Sequence, residues 1–253
     1  MRNDPPVEPR PMISVCLATY NGAMYLHEQI DSILPQLGAD DELLVSDDGS
    51  TDATLAILAT YGNRLRLVAT GRAGGVVANF ERVLLAAAGD FIVLCDQDDV
   101  WLPGRLDLVR ARLKNVSLLM MNAIVVDASA HPLGPDIYSM LGFHRGFFRT
   151  LIKTRYVGCC LAFRREVLAL ALPFPARIQW HDWFIALIAE LLFTIEVRPE
   201  KTLLFRRHDY NASPTSRGST ASLRSRLKAR LWMLRALAVV LVRYCRNKAG
   251  AIH

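Results

Sequence analysis

The sequence predicts an α/β domain with a mostly parallel, twisted sheet and helices on both faces, followed by a C-terminal amphipathic helical tail. Three observations predict it. Short apolar, β-prone runs alternate with helical patterns along the N-terminal part of the chain. Polar clusters close three of those runs. Basic residues interleave with Leu, Val and Trp near the C-terminus.

Met12 to Ala18 forms the first apolar run and stops at the turn-rich Thr19-Tyr-Asn-Gly22, after which a helical pattern continues to Gln36. Asp41 to Ser46 reads as a second strand, and the segment Asp47 to Asp52 offers caps for a helix from Ala53 to Tyr61. Arg64 to Ala69 is a third strand. A Gly-rich loop leads to a helix over Asn79 to Ala88, and Asp90 to Cys95 is a fourth strand that ends in Asp96-Gln-Asp-Asp99. Farther on, Ser117 to Val126, Val157 to Phe163 and Phe193 to Val197 read as strands, and Asp182 to Leu192 as a helix. At 253 residues, with no linker-like stretch in the middle, the chain divides into an extension over 1–11, one domain over 12–215 and a tail over 216–253. Within the domain, 12–103 is the expected donor-binding half and 104–215 the acceptor-binding half.

Apolar residues make up 52% of the chain and the mean hydropathy is +0.21, which fits a well-filled core with some membrane contact. The net charge of +6 is concentrated in the tail: Arg224, Arg226, Lys228, Arg230, Arg235, Arg243, Arg246 and Lys248 face no acid after Asp209. Setting those eight aside leaves the remainder at −2, so an anionic membrane surface fits better than nucleic acid. Five cysteines without a CxxC spacing give no zinc pattern, and Cys16 and Cys95 in apolar runs read as core residues of a reducing compartment. MRNDPPVEPRP lacks the apolar stretch of a secretory leader, so the expected location is cytoplasmic, peripheral on the inner face of the cell membrane.

In a parallel sheet, ligands bind beyond the carboxyl ends of the strands, where Thr19-Tyr-Asn, Asp47-Asp48 and the Asp96 cluster would converge. Three carboxylates in four residues repel one another unless a cation offsets them. Mg²⁺ or Mn²⁺, which takes oxygen ligands and can bridge a diphosphate, is the economical answer; a solvated acidic turn is the plain alternative. Asp47 and Asp48 serve equally as a helix cap or as an acceptor for a base or ribose. Tyr20 is either a packed aromatic or a nucleobase platform. Asp182 is a helix cap or a general base for an attacking hydroxyl, and His208 a surface residue, a metal ligand or part of a basic patch.

Taken together, these segments resemble the family 2 glycosyltransferases of GT-A fold, in particular the bacterial rhamnosyltransferase-like branch. The motifs that carry the resemblance are Ile13 to Gly22, Leu44 to Asp52, Gly75 to Phe80 and Gly89 to Pro103, extended by Gly158 to Phe163, His181-Asp-Trp183 and Arg207-His208. It implies a nucleotide-sugar site of Thr19, Tyr20, Asn21, Asp47, Asp48, Arg72, Asn79, Asp96 and Gln97, a DxD metal site of Asp96 and Asp98 joined by His208, and Asp182 as catalytic base. It also implies an inverting transfer from a nucleotide sugar, dTDP-rhamnose ahead of UDP- or GDP-sugars, to a lipid-linked or oligosaccharide acceptor in surface polysaccharide synthesis. His181 stands where many members have Glu, and the loop Thr70 to Gly75 lacks the Asn expected near its start.

Other classes fit less well. A nucleotidyltransferase would need a Gly-rich, Arg-containing loop directly after the first strand, and Gly71 to Gly75 fails the dinucleotide-binding spacing. A non-catalytic, membrane-associated sugar-nucleotide-binding subunit stays open. Within the tail, the apolar piece Ala236 to Val242 is too short to span a bilayer. The expectation is an interfacial helix that dips Trp232 and Leu234 into lipid; the alternative is a helix packed on the domain.

Overall fold

A computed structural model describes residues 10–208 and 222–250. Asp209, the boundary between 215 and 216, and most of the N-terminal extension lie outside the described residues.

The first half follows the predicted alternation. β1 (Ile13–Thr19), β2 (Glu42–Asp47), β3 (Arg66–Ala69) and β4 (Phe91–Cys95) are separated by α1 (Leu26–Ile33), α2 (Thr54–Thr60) and α3 (Val76–Ala86). Ile13, Val15, Leu17, Ile92 and Leu94 are fully buried, as unbroken apolar runs covered on both faces require. β5 (Val100–Trp101) and α4 (Arg105–Leu113) follow. The second half contains β6 (Leu118–Val126), α5 (Ile137–Leu141), α6 (Phe147–Ile152), β7 (Leu161–Arg164), α7 (Arg165–Ala171), α8 (His181–Leu192), β8 (Ile195–Arg206) and α9 (Leu223–Gly250).

All eight strands join one sheet in the order β3-β2-β1-β4-β7-β6-β8-β5. Pairings β1 with β2 and β4, β2 with β3, and β6 with β8 are parallel, whereas β7 runs antiparallel to β4 and β6, and β5 to β8. The central β1 and β4 therefore open at one edge of the sheet, and β7 brings the second half of the chain alongside them.

Several elements differ from the sequence reading. The strand expected over Phe193 to Val197 starts at Ile195 and runs on to Arg206, because β6 pairs with both of its ends across two register shifts and β5 pairs with Leu203 and Leu204. The strand expected from Val157 begins only at Leu161, since Gly158–Cys160 forms a 3₁₀ turn. α4 was hidden by its charges: Leu106, Val109 and Leu113 face the core at helical spacing, but Arg105 and Arg110 are buried with them. The tail is not free of the domain. Met233, Ala236, Leu237 and Val240 of α9 are buried in the common core, so the packed-helix alternative holds for one face.

Candidate active site

Thr19 ends β1, and its hydroxyl donates to Asp47 Oδ2 at 2.9 Å. Asp47 is fully buried and accepts from Gly49 N–H (3.0 Å), Ser50 N–H (2.8 Å) and the Ser50 hydroxyl (2.5 Å). Its oxygens are thus committed to the turn that starts the second crossover, and it does not line the cleft. Asp48, the next residue, does line it. Asp48 accepts N–H bonds from Ala73, from Gly74 (3.1 Å) and from Gly75 (2.8 Å). Burial acts to raise its pKa, but these N–H groups outweigh that and hold the carboxyl below its usual range. The loop can turn its amides inward because Gly74 and Gly75 adopt φ of +98° and +118°.

Asn79 on α3 is 3% exposed and joins both central strand ends: its amide donates to Thr19 O (3.0 Å), and its carbonyl accepts from Ser46 Oγ (2.7 Å). Asn21 bonds Thr51 N–H through its side-chain carbonyl (2.8 Å) and lies outside the cleft lining. Arg72 is exposed and also outside it. Of the expected nucleotide-sugar set, then, Asp47, Asn21 and Arg72 stand apart from the cleft, and Asn79 spends its amide on the strand ends. Tyr20, Thr19, Asp48, Asp96 and Gln97 line the cleft together. Gln97 accepts from Tyr20 N–H (2.8 Å) and donates to Tyr20 O (3.0 Å), which locks the loop after β1 to the turn after β4. Tyr20 itself is 55% exposed, as a stacking platform must be.

The turn after β4 holds the carboxylates. Asp98 Oδ2 meets His208 Nε2 at 2.8 Å, and Arg206 donates through Nε to Asp98 O (2.8 Å) and through its backbone N–H to Asp99 Oδ1 (3.1 Å). Burial, then the charges of Asp98 and Asp182, push Asp96 up to about 7. Asp99 is raised well above its usual range by burial and by the charges of Asp98 and Asp96. Among the described residues, the metal-ligating side chains whose donor atoms gather within 4.8 Å are Asp96, Asp99 and Cys159. Of the expected set, Asp96 belongs to this group, while Asp98 and His208 meet each other at 2.8 Å. Two crowded carboxylates with one buried Asp99 oxygen lacking a partner fit a hard divalent cation; the Cys159 thiol, raised by its hydrogen bond with Cys160 and by burial, is a poor ligand for one.

Across the cleft, Asp182 sits in the first turn of α8 and accepts from Trp183 N–H at 2.7 Å. Burial pushes it up to about 6 against the N–H groups of Trp183 and Gly158. Gly158 packs beside this pair: a Cβ there would lie 3.4 Å from His181 Nε2 and 3.6 Å from Asp182 Cβ, in ordinary van der Waals contact. His181 stacks on Phe80 with ring centroids 3.9 Å apart, and burial pulls its pKa down to about 3, so it is a neutral packing partner of the carboxylate beside it. The cleft encloses about 950 Å³.

Some contributors carry no linear signal. Arg105 is fully buried, donates to Thr202 Oγ1 and Cys159 O, and lies over the Trp101 ring at 4.6 Å. Lys153, Arg226 and Arg230 form a cationic stretch of the cleft wall. The last two come from α9, so the tail contributes to the site.

A twisted α/β sheet with aromatic, amide and carboxylate groups at its strand ends thus shares one cleft with the half-buried carboxyl at the start of α8. The chain belongs to glycosyltransferase family 2, whose pattern (Glycosyl transferase family 2) it matches over residues 14–170, more than half its length. It is 26% identical to the dTDP-rhamnosyl transferase RfbG of Shigella flexneri, over 77% of this chain and 72% of that one. It is also 26% identical to the UDP-Glc:alpha-D-GlcNAc-diphosphoundecaprenol beta-1,3-glucosyltransferase WfgD of Escherichia coli, over 68% of each chain. Among solved structures it is similar to S. aureus TarS 1-349 in complex with UDP-GlcNAc (TM-score 0.63, 22% identity, 83% of this chain and 62% of that one). It likewise resembles the mannosyltransferase PcManGT from Pyrobaculum calidifontis in complex with GDP-Man and Mn2+ (TM-score 0.59, 19% identity, 97% and 81%). These likenesses establish the expected GT-A fold. The chain spans just under two thirds of the TarS fragment and somewhat more of the two curated relatives.

Proposed function

We propose that this chain is an inverting glycosyltransferase that moves a sugar from a nucleotide donor to a hydroxyl of a lipid-linked or oligosaccharide acceptor in surface polysaccharide synthesis. The observation that carries this reading is that Asp182 and the Asp96 turn line one cleft.

Tyr20 stacks the base, and Asp48, fixed by three amides, accepts from the nucleoside. A bound Mg²⁺ or Mn²⁺ would be held by Asp96 with Asp98 or Asp99, and supplies charge neutralisation for the departing diphosphate. Arg226 and Arg230 line the same cleft and add positive charge to it. Asp182, ionised above a pH of about 6, takes the proton of the acceptor hydroxyl as that oxygen attacks the anomeric carbon. The C–O bond to the acceptor forms as the bond to the diphosphate breaks, and one displacement inverts the centre. Among donors, dTDP-rhamnose is favoured by the His181-Asp182 pair and by the similarity to a dTDP-rhamnosyl transferase. The similarity to a diphosphoundecaprenol-dependent enzyme supports a lipid-linked acceptor, and the basic tail supports a position on the inner face of the cell membrane.

The test is nucleoside diphosphate release from dTDP-, UDP- and GDP-sugars with a membrane lipid extract, with Mg²⁺, Mn²⁺ or a chelator. Release from one donor that stops with the chelator is expected. Binding of a donor without release under any condition favours the scaffold subunit.

A further inference from the structure

α9 has two apolar faces, and the domain uses only one of them. The inward face is Ala229, Met233, Ala236, Leu237, Val240 and Tyr244, packed on the core. Arg230 and Arg243 fasten it, donating to Ile152 O (3.1 Å) and to Leu170 O (3.1 Å) and Leu172 O (3.0 Å). The outward face repeats at intervals of four and three residues through Leu227, Leu231, Leu234, Ala238, Leu241 and Cys245. All six are exposed, Leu227 at 62% and Leu231 at 51%. Spacing of this kind keeps one straight stripe along a helix. Trp232, expected to enter lipid, is instead held between the guanidinium groups of Arg177 and Arg235 at 4.4 and 5.0 Å, while Leu234 belongs to the outward stripe.

A water-facing stripe of this length needs a partner, and the charges beside it select one. Arg224, Lys228, Arg235, Arg246 and Lys248 are exposed along α9, and no acid occurs anywhere in it. A second copy packed stripe to stripe would bring Lys228 and Arg235 against identical cations with nothing to pair them. Anionic lipid head groups pair them all, with the leucines entering the acyl boundary. No described helix is long and apolar enough to cross a membrane, so the helix lies along the surface.

We infer that the outward face of α9 docks on an anionic bilayer and sets the open cleft at the lipid surface. The cleft wall includes Ser225, Arg226, Ala229 and Arg230 of the same helix, so docking α9 brings the acceptor entrance to the membrane. Exposed Ile152 and Phe148 on α6, which Arg230 ties to α9, extend the apolar rim. The docking names the face of α9 by which the membrane position proposed above is reached, and the delivery of a lipid-linked acceptor rests on that proposed function.

Removing α9 would open the core, so the test uses its outward face alone. Wild type and the triple variant Leu231→Gln, Leu234→Gln, Leu241→Gln are floated with phosphatidylglycerol/phosphatidylcholine vesicles and with pure phosphatidylcholine, without donor or acceptor. Thermal unfolding and nucleoside diphosphate binding serve as folding controls. Wild type should float with the anionic vesicles only, and the variant should lose about tenfold or more of that partition with both controls unchanged. A second variant, Lys228→Gln with Arg235→Gln, should weaken binding and flatten its salt dependence. Wild type that stays in the soluble fraction, or a triple variant that floats as wild type does, overturns the inference. So does a wild-type dimer that the triple variant converts to monomer, which would give the stripe to a second copy. A wild type that docks but turns over no donor would sink the transferase reading and leave the docking face standing.

Discussion

Asp96 and Asp182 are carboxyls held against their own ionisation, Asp96 at about 7 and Asp182 at about 6. A carboxyl whose native pKa exceeds its unfolded value of about 3.8 stabilises the fold below that pH and loses the contribution as pH rises through the native pKa. We therefore expect the melting temperature of ion-free protein to fall between about pH 4 and 7, and Asp96→Asn to remove part of that fall. Mg²⁺ should restore stability at neutral pH in wild type and much less in the variant. Melting curves across pH that coincide for the two proteins would contradict the crowding of charge at the Asp96 turn. At this scale the sequence marks positions more readily than roles: charge crowding at a strand end singles out Asp96 and Asp98, and a helix start singles out Asp182, while each keeps a plain reading as an acidic turn or a cap. Asp47 and Asp48 were not separable, because adjacent residues of one type differ here only in which of them bonds back into its own turn.

Between elements, Asn79 ties β1, β2 and α3 together: its one side-chain amide donates to Thr19 O, which also accepts from Asp48 N–H, and accepts from Ser46 Oγ. Asn79→Ala leaves the buried Ser46 hydroxyl without this partner and Thr19 O with the Asp48 N–H bond alone, and should cost about 1–3 kcal/mol in chemical denaturation. A midpoint equal to wild type would show that the strand ends hold themselves. The parallel half of the sheet was legible because buried strands read as unbroken apolar runs between turn residues. β8 and α4 were obscured for opposite reasons. β8 carries Glu196, Arg198, Glu200 and Lys201, whose charges pair with neighbours at the sheet margin, as Arg198 does with Glu200. α4 buries Arg105 and Arg110, so its core face does not look apolar.

As a whole, the molecule brings its two working walls from different halves of the chain. The Asp96 turn ends β4 and Asp182 begins α8, and β7, antiparallel to β4, draws them to one cleft. α9 then closes that cleft at one side and turns a second apolar face outward. The basic, apolar composition of the tail was legible in the sequence. Its division into an inner and an outer face was not, because both stripes are apolar and only the packed core distinguishes them. The measurement that bears most directly on the transferase reading is nucleoside diphosphate release by wild type and Asp182→Asn, with saturating donor, divalent ion and acceptor, beside donor binding by calorimetry. With Asp182 as the base, the variant should bind donor as wild type does and release product about 10²–10⁴-fold more slowly. Release at the wild-type rate by Asp182→Asn, with donor binding intact, would remove Asp182 from the reaction and contradict the proposed mechanism.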